Sequence, residues 1–175
     1  MAPHTAPAPE PEFSRPIDVR QVAGRTVTLT ATAAECAALA LRFGIVRVDR
    51  LEARLLLDRA GDAVTANGTL DAAIVQSCAV SAEDLPSAIH ESVAFRFVPA
   101  IGGHAPDEEI ELDAEDCDEI EYRGTTIDVG EAVAQSLALA IDPFATGPEA
   151  DAARALMKDE GASPFAALKG FGKKD

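Results

Sequence analysis

The sequence predicts an α+β domain: an antiparallel β-sheet, meander-like and either open or barrel-like, with two or three helices. Three observations predict it. Apolar residues alternate with period two from Ile45 to Val98, and the connections there are too short for the crossover helices that parallel strands require. Two segments, opened by Thr32 and Asp128, carry helix-capping patterns followed by apolar residues at helical spacing. The ends differ from the middle in composition: residues 1–12 are rich in Pro and Ala, and Gly161 to Asp175 holds three lysines against one acid. These shifts divide the chain into a disordered linker over 1–12, an α+β domain over 13–145 with an acidic loop at 102–121, and a weak helix with a short basic, apolar tail over 146–175.

The elements follow in order. Phe13 to Val22 and Arg25 to Thr30 read as two short strands about Gly24, the second alternating Val27 and Leu29 with threonines. Thr32 and Glu35 form a capping box that opens an Ala-rich helix, stopped by Gly44. Val46 and Val48 then share one strand face, but beyond Arg50 the apolar set moves to Leu51, Ala53, Leu55 and Leu57. That one-residue phase shift predicts a bulge near Asp49-Arg50.

Ala60-Gly61-Asp62 turns the chain into a partner strand with Leu70, Ala72, Ile74, Gln76, Cys78 and Val80 on one face, while Asn67-Gly68 is a possible bend within it. The next strand groups Ile89, Val93, Phe95 and Phe97 and ends at Pro99. Ten of the fifteen residues from Asp107 to Glu121 are Asp or Glu and none is basic, which favours a solvated loop over a strand rim built on Ile110, Leu112 and Ile120. Asp128 then starts a helix with Val129, Val133, Leu137 and Ala140-Ile141 in one stripe, ended by Asp142-Pro143. Thr146-Gly-Pro148-Glu149 signals a third, polar helix that does not need to dock on the core.

Composition restricts function. The net charge is -15, with 30 acids against 15 bases. Such a field repels nucleic acid and favours basic protein partners, so no DNA contact and no extensive grip on RNA phosphates is expected. No window approaches the roughly 18 apolar residues of a membrane span. Residues 1–12 lack the regions of a signal peptide, and three scattered cysteines make no disulfide framework, so a reducing cytoplasm fits.

No catalytic, cofactor-binding or metal site is expected. Cys78, Cys117, His90 and His104 lack the spacing of a closed zinc site. Cys78 reads as a small buried hydrophobe, and Cys117 lies among carboxylates that raise a thiol pKa. Asp128 and Glu131 are explained by capping rather than by acid–base chemistry, and no nucleophile-elbow, phosphate-loop or dinucleotide motif occurs. The acidic run is a solubilising loop or a docking surface. The tail is the candidate partner-binding segment: Pro164 fixes a local turn, and Phe165, Leu168 and Phe171 stand among Lys169, Lys173 and Lys174. Such groups seek a groove, in their own protein or in another.

Several of these segments, in this order, resemble the YceD family, also called DUF177. They are Gln76-Ser77-Cys78-Ala79-Val80-Ser81-Ala82-Glu83, the strand with Phe95-Arg96-Phe97, the acidic run, Thr126-Ile127-Asp128-Val129-Gly130-Glu131-Ala132-Val133, Leu137-Ala-Leu139-Ala-Ile141-Asp142-Pro143, and Ser163-Pro164-Phe165-Ala166-Ala167-Leu168. The resemblance covers most of the chain from about residue 13. It implies a factor for accumulation of large-subunit ribosomal RNA, with a ribosomal protein or assembly factor as partner and RNA contact indirect or through the tail. Many members carry C-x-x-C before the central strand and a further Cys after the helix proline. Here Val75 stands at the first of these positions and Pro143-Phe144-Ala145 offers no third Cys, a single-Cys form that resembles the alphaproteobacterial branch. A metal role proposed for such relatives does not transfer to this pattern. The rival readings are an acidic chaperone for basic clients and an RNA-processing nuclease.

Overall fold

A computed structural model describes residues 11–100 and 119–159. Strand β1 (Pro16–Asp18) and a 3-10 turn (Val19–Gln21) precede β2 (Arg25–Thr30) and helix α1 (Ala33–Phe43). The meander is β3 (Arg47–Ala60), β4 (Ala63–Ser77) and β5 (Asp84–Pro99). Beyond the acidic run lie β6 (Glu119–Tyr122), β7 (Thr126–Asp128), α2 (Val129–Ala140) and α3 (Ala150–Asp159).

The main sheet has the order β2-β3-β4-β5-β6, and it is open: β2 and β6 are edges, so the barrel-like form is not adopted. The first three pairings are antiparallel, with β3 and β4 joined through Gly61-Asp62 and the register slipping between Val48 and Arg50, at the expected bulge. Asn67-Gly68 remains in β4, paired with Leu56 and Leu55.

Three expectations are corrected. First, the segment from Phe13 to Val22 is a three-residue strand and a 3-10 turn. It does not complete the main sheet but pairs with β7 in a separate two-stranded sheet, Ile17 opposite Ile127. Second, Glu119 to Glu121, which the sequence places in the acidic loop, belong to strand β6. From there β6 runs parallel to β5, with Phe97 beside Ile120 and Pro99 beside Tyr122. The connection is long enough to return the chain to the same end of the sheet, which no short hairpin permits. The Tyr122 hydroxyl donates to the Asp62 carbonyl at 2.7 Å, tying this edge to the β3–β4 turn. Third, β4 stops at Ser77, so Cys78 and Val80 belong to the following turn rather than to the strand face.

One face of the sheet is the core. Leu51, Leu55 and Leu57 of β3, Leu70 and Ile74 of β4 and Phe97 of β5 are buried there. Helix α1 packs on β3, and α2 on β4 and β5, with Val133 and Leu137 turned inward. Phe13 is fully buried in the same cluster. The opposite face carries polar residues, as in the row Thr28, Arg54, Thr69 and Ser92 across four strands. This gives each strand the alternation that the sequence carries.

Caps set the helix ends. Thr32 Oγ1 accepts from the Glu35 amide while the Glu35 carboxylate accepts from the Thr32 amide, and Gly44, left-handed at φ 66°, closes α1. At α2, Asp128 accepts from the amides of Gly130 and Glu131. Only half of the expected box forms there, because the Glu131 carboxylate turns to Arg42 instead.

Candidate functional site

The turn after β4 and the connection between α2 and α3 meet through a dense set of hydrogen bonds. Cys78 donates its amide to the Glu83 carbonyl at 2.8 Å, and Ala82 adopts a left-handed φ of 61° to complete the turn. Across to the helices, the Ala79 amide donates to the Ala145 carbonyl at 2.9 Å and Gln76 Nε2 to the Asp142 carbonyl at 2.7 Å. Gln76 is buried, so that bond satisfies a polar group that would otherwise be costly to bury. Glu83 Oε1 accepts from both the Ser81 hydroxyl, at 3.1 Å, and the Glu149 amide, at 3.0 Å.

The Cys78 sulfur lies at the centre. It accepts from the amides of Val80 at 3.5 Å, Ser81 at 3.4 Å and Gly147 at 3.4 Å. The Ser81 hydroxyl and amide, followed by the Gly147 and Val80 amides, hold its pKa down to about 7 against the effect of burial. Cys36, by contrast, is pushed up by burial and by the charges of Glu35 and Asp49. Gly147 can come this close only because it has no side chain: a Cβ there would lie 2.4 Å from Glu83 Oε1 and 2.5 Å from a Leu85 methyl.

This clamp walls a groove of about 530 Å³. One side is β4 and the edge of β5 that is free of a strand partner among the described residues, with Ile74, Leu85, Pro86 and Ile89. The other is the end of α2 and the next connection, with Ile141 and Pro148. Pro86 has no amide to offer a further strand, which suits an edge position. A second groove, of about 520 Å³, lies between β5 at Ser92 to Phe95, β6 at Glu119-Ile120, and the α2 residues Ala132, Gln135, Ser136 and Leu139. Leu139 and Phe144 are 89% and 80% exposed, so the end of α2 presents apolar surface to solvent.

Electrostatically the body is self-paired. Arg15 makes a two-pronged contact with Glu35, at 2.6 and 3.0 Å, and holds that carboxyl down at about 2. Arg42 bridges Glu12 and Glu131, which raises its own pKa and lowers that of Glu131. Asp18 is held at about 2 by the neighbouring Arg20. Among the described residues, eight of the eleven arginines contact a carboxylate: Arg15, Arg20, Arg42, Arg47, Arg50, Arg59, Arg96 and Arg154.

The tail residues Pro164, Phe165, Leu168, Lys169, Phe171, Lys173 and Lys174 lie outside the described residues, as do His104, Cys117 and residues 107–118 of the acidic run. His90 makes a 2.6 Å contact with Asp71, its cross-strand neighbour. Among the described residues no group of three or more His, Cys, Asp or Glu side chains is placed to hold a metal ion. No helix among them is long and apolar enough to cross a membrane.

The structure joins two motifs that the sequence shows separately, Gln76-Ser77-Cys78 and Ile141-Asp142-Pro143. Glu83 and Gly147 were not singled out by sequence reasoning. Their roles depend on partners 66 to 69 residues away, and neither carries a local signal beyond a turn.

Both halves of the clamp, the groove and the tail as far as Phe171 fall inside one family match, while Lys173 and Lys174 lie beyond it. A family model described as large ribosomal RNA subunit accumulation protein YceD matches residues 66–171. No curated protein and no solved structure gives a significant match. With more than half of its length matched, the clamp included, the chain belongs to the YceD family of large ribosomal RNA subunit accumulation proteins.

Proposed function

We propose that this chain is a non-catalytic cytoplasmic factor that supports accumulation of the large-subunit (23S) ribosomal RNA through a protein partner, a basic ribosomal protein or an assembly factor. The observation that carries the protein-partner reading is the engagement of eight of the eleven arginines with carboxylates in a chain of net charge -15. A grip on RNA needs several cations free to neutralise phosphates. Here those cations already neutralise acids of the same chain. The partner contact is assigned to the tail, through Pro164, Phe165, Leu168, Lys169, Phe171, Lys173 and Lys174, where the lysines also offer a limited RNA contact.

The test is co-purification of the tagged full-length chain from cells, with and without ribonuclease. The reading expects a basic ribosomal or assembly protein that remains bound after RNA is digested. Recovery of ribosomal RNA with no accompanying protein would contradict it. Broad capture of many unrelated basic proteins would favour the chaperone alternative, and metal-dependent cleavage of precursor RNA by the purified chain would favour a nuclease.

A further inference from the structure

We propose that the groove between the free edge of β5 and the end of α2 is the seat of the chain's own C-terminal tail, with Phe165 and Leu168 as its anchors. The groove is open, of about 530 Å³, and apolar on both walls through Leu85, Pro86, Ile89, Ile141 and Pro148. That volume lies in the range that accommodates a few large side chains. Between Glu119 and the clamp the edge of β5 has no strand partner among the described residues.

Three considerations name the occupant. The first is reach. Helix α3 starts at Ala150, two residues beyond Pro148 of the groove wall, and its ten residues rise about 15 Å. Phe165 follows six residues after the helix ends, and six extended residues span about 20 Å, so the anchor can fold back to where the helix began. The second is charge. Asp142 lines the groove, Asp84 and Glu149 directly adjoin the lining residues Leu85 and Pro148 in the chain, and the lining contains no base. The tail carries Lys169, Lys173 and Lys174 against one acid, the reverse of the rest of the chain. The third is shape. Pro164 fixes one backbone angle just before the anchors, which lowers the cost of ordering them. Phe165 and Leu168 are three residues apart, a spacing that would put both on one side of a helical turn.

Once Phe165 and Leu168 are seated, the partner contact proposed above falls to Phe171 and the lysines beyond the groove. Docking itself does not depend on that partner, and its test involves no ribosomal component. The experiment is methyl and aromatic NMR on the full-length chain. The expected result is a set of nuclear Overhauser contacts from the Phe165 ring to methyls of Leu85, Ile89 and Ile141, unchanged on dilution. In the double variant Phe165→Ala/Leu168→Ala, shifts should move at those methyls but not at Val27 or Leu29 on the far strand. Unchanged shifts at Val27 and Leu29 would show that the variant keeps its fold. Chymotryptic cleavage after Phe165 should rise roughly tenfold in Leu168→Ala, because cleavage follows the population of the undocked state. A Phe165 ring without contacts to the groove would overturn the proposal. So would contacts that vanish on dilution, which would instead place the tail of a second copy in the groove.

Discussion

Cys78 combines two properties that usually separate in proteins: it is buried, and its sulfur is nevertheless surrounded by amide donors. Burial alone would raise a thiol pKa, as it does for Cys36. The Ser81 hydroxyl and the three amides reverse the sign. A pH titration followed by thiolate absorbance should therefore show a midpoint near 7 that disappears in Cys78→Ser, with Cys36 titrating well above it. Because the folded pKa is depressed, this group adds stability as pH rises from about 7 towards the ordinary thiol value. The sequence predicts a buried Cys78 by extending an apolar alternation; the residue is buried, but in the turn after β4 rather than on the strand face. The donor from Gly147 was not legible, because nothing local connects two positions 69 residues apart.

Glu35 gives a second prediction at the same scale. Its carboxyl falls from 4.5 to about 2 mainly through Arg15, helped by the Thr32 amide. A depressed carboxyl contributes stability that is complete above its unfolded pKa and lost as pH falls through the folded one. The unfolding temperature should accordingly fall between about pH 4.5 and pH 2, and Glu35→Gln should flatten that limb while lowering stability near neutrality.

At the scale of elements, local signals and long-range pairing part company. The start and stop of α1, the β3–β4 turn, the bulge at Val48 to Arg50 and the cap at Asp128 are written in neighbouring residues, and each is found where the sequence puts it. The pairing of β1 with β7 and the parallel docking of β6 are not. Both are three- or four-residue strands that gain register only from partners more than a hundred residues away or across the acidic run. The junction of β1 and α2 shows what such a contact demands. Asp128 caps α2 and also accepts from the Arg15 amide at 2.8 Å and the Ser14 hydroxyl at 2.5 Å. Removing one cap typically costs about 1 kcal/mol, and Asp128→Ala, which also frees two donors from the N-terminal segment, should cost about 2 kcal/mol by urea denaturation. Gly130, in the first turn of α2, faces the same segment: a Cβ would come within 2.4 Å of the Phe13 carbonyl oxygen. Gly130→Ala should cost about 2 kcal/mol through overpacking, although alanine is the better helix former. A gain in stability would show that the N-terminal segment is not held there.

For the whole molecule, the defining feature is an acidic chain whose folded body already pairs most of its arginines, with a lysine-bearing tail attached beyond α3. The sequence alone displayed the charge, the meander and the family motifs. It did not show that the motifs on either side of the acidic run converge on one clamp, because that convergence depends on how α2 packs across β4 and β5. The central claim is that this body serves large-subunit RNA through a protein partner rather than by chemistry of its own. The most direct test is to deplete the protein and measure the ratio of large- to small-subunit ribosomal RNA across a subunit gradient, with complementation by the full-length chain and by a chain lacking residues 161–175. The account predicts a selective fall in large-subunit RNA, restored by the full-length chain and not by the truncated one. An unchanged ratio after depletion would contradict it.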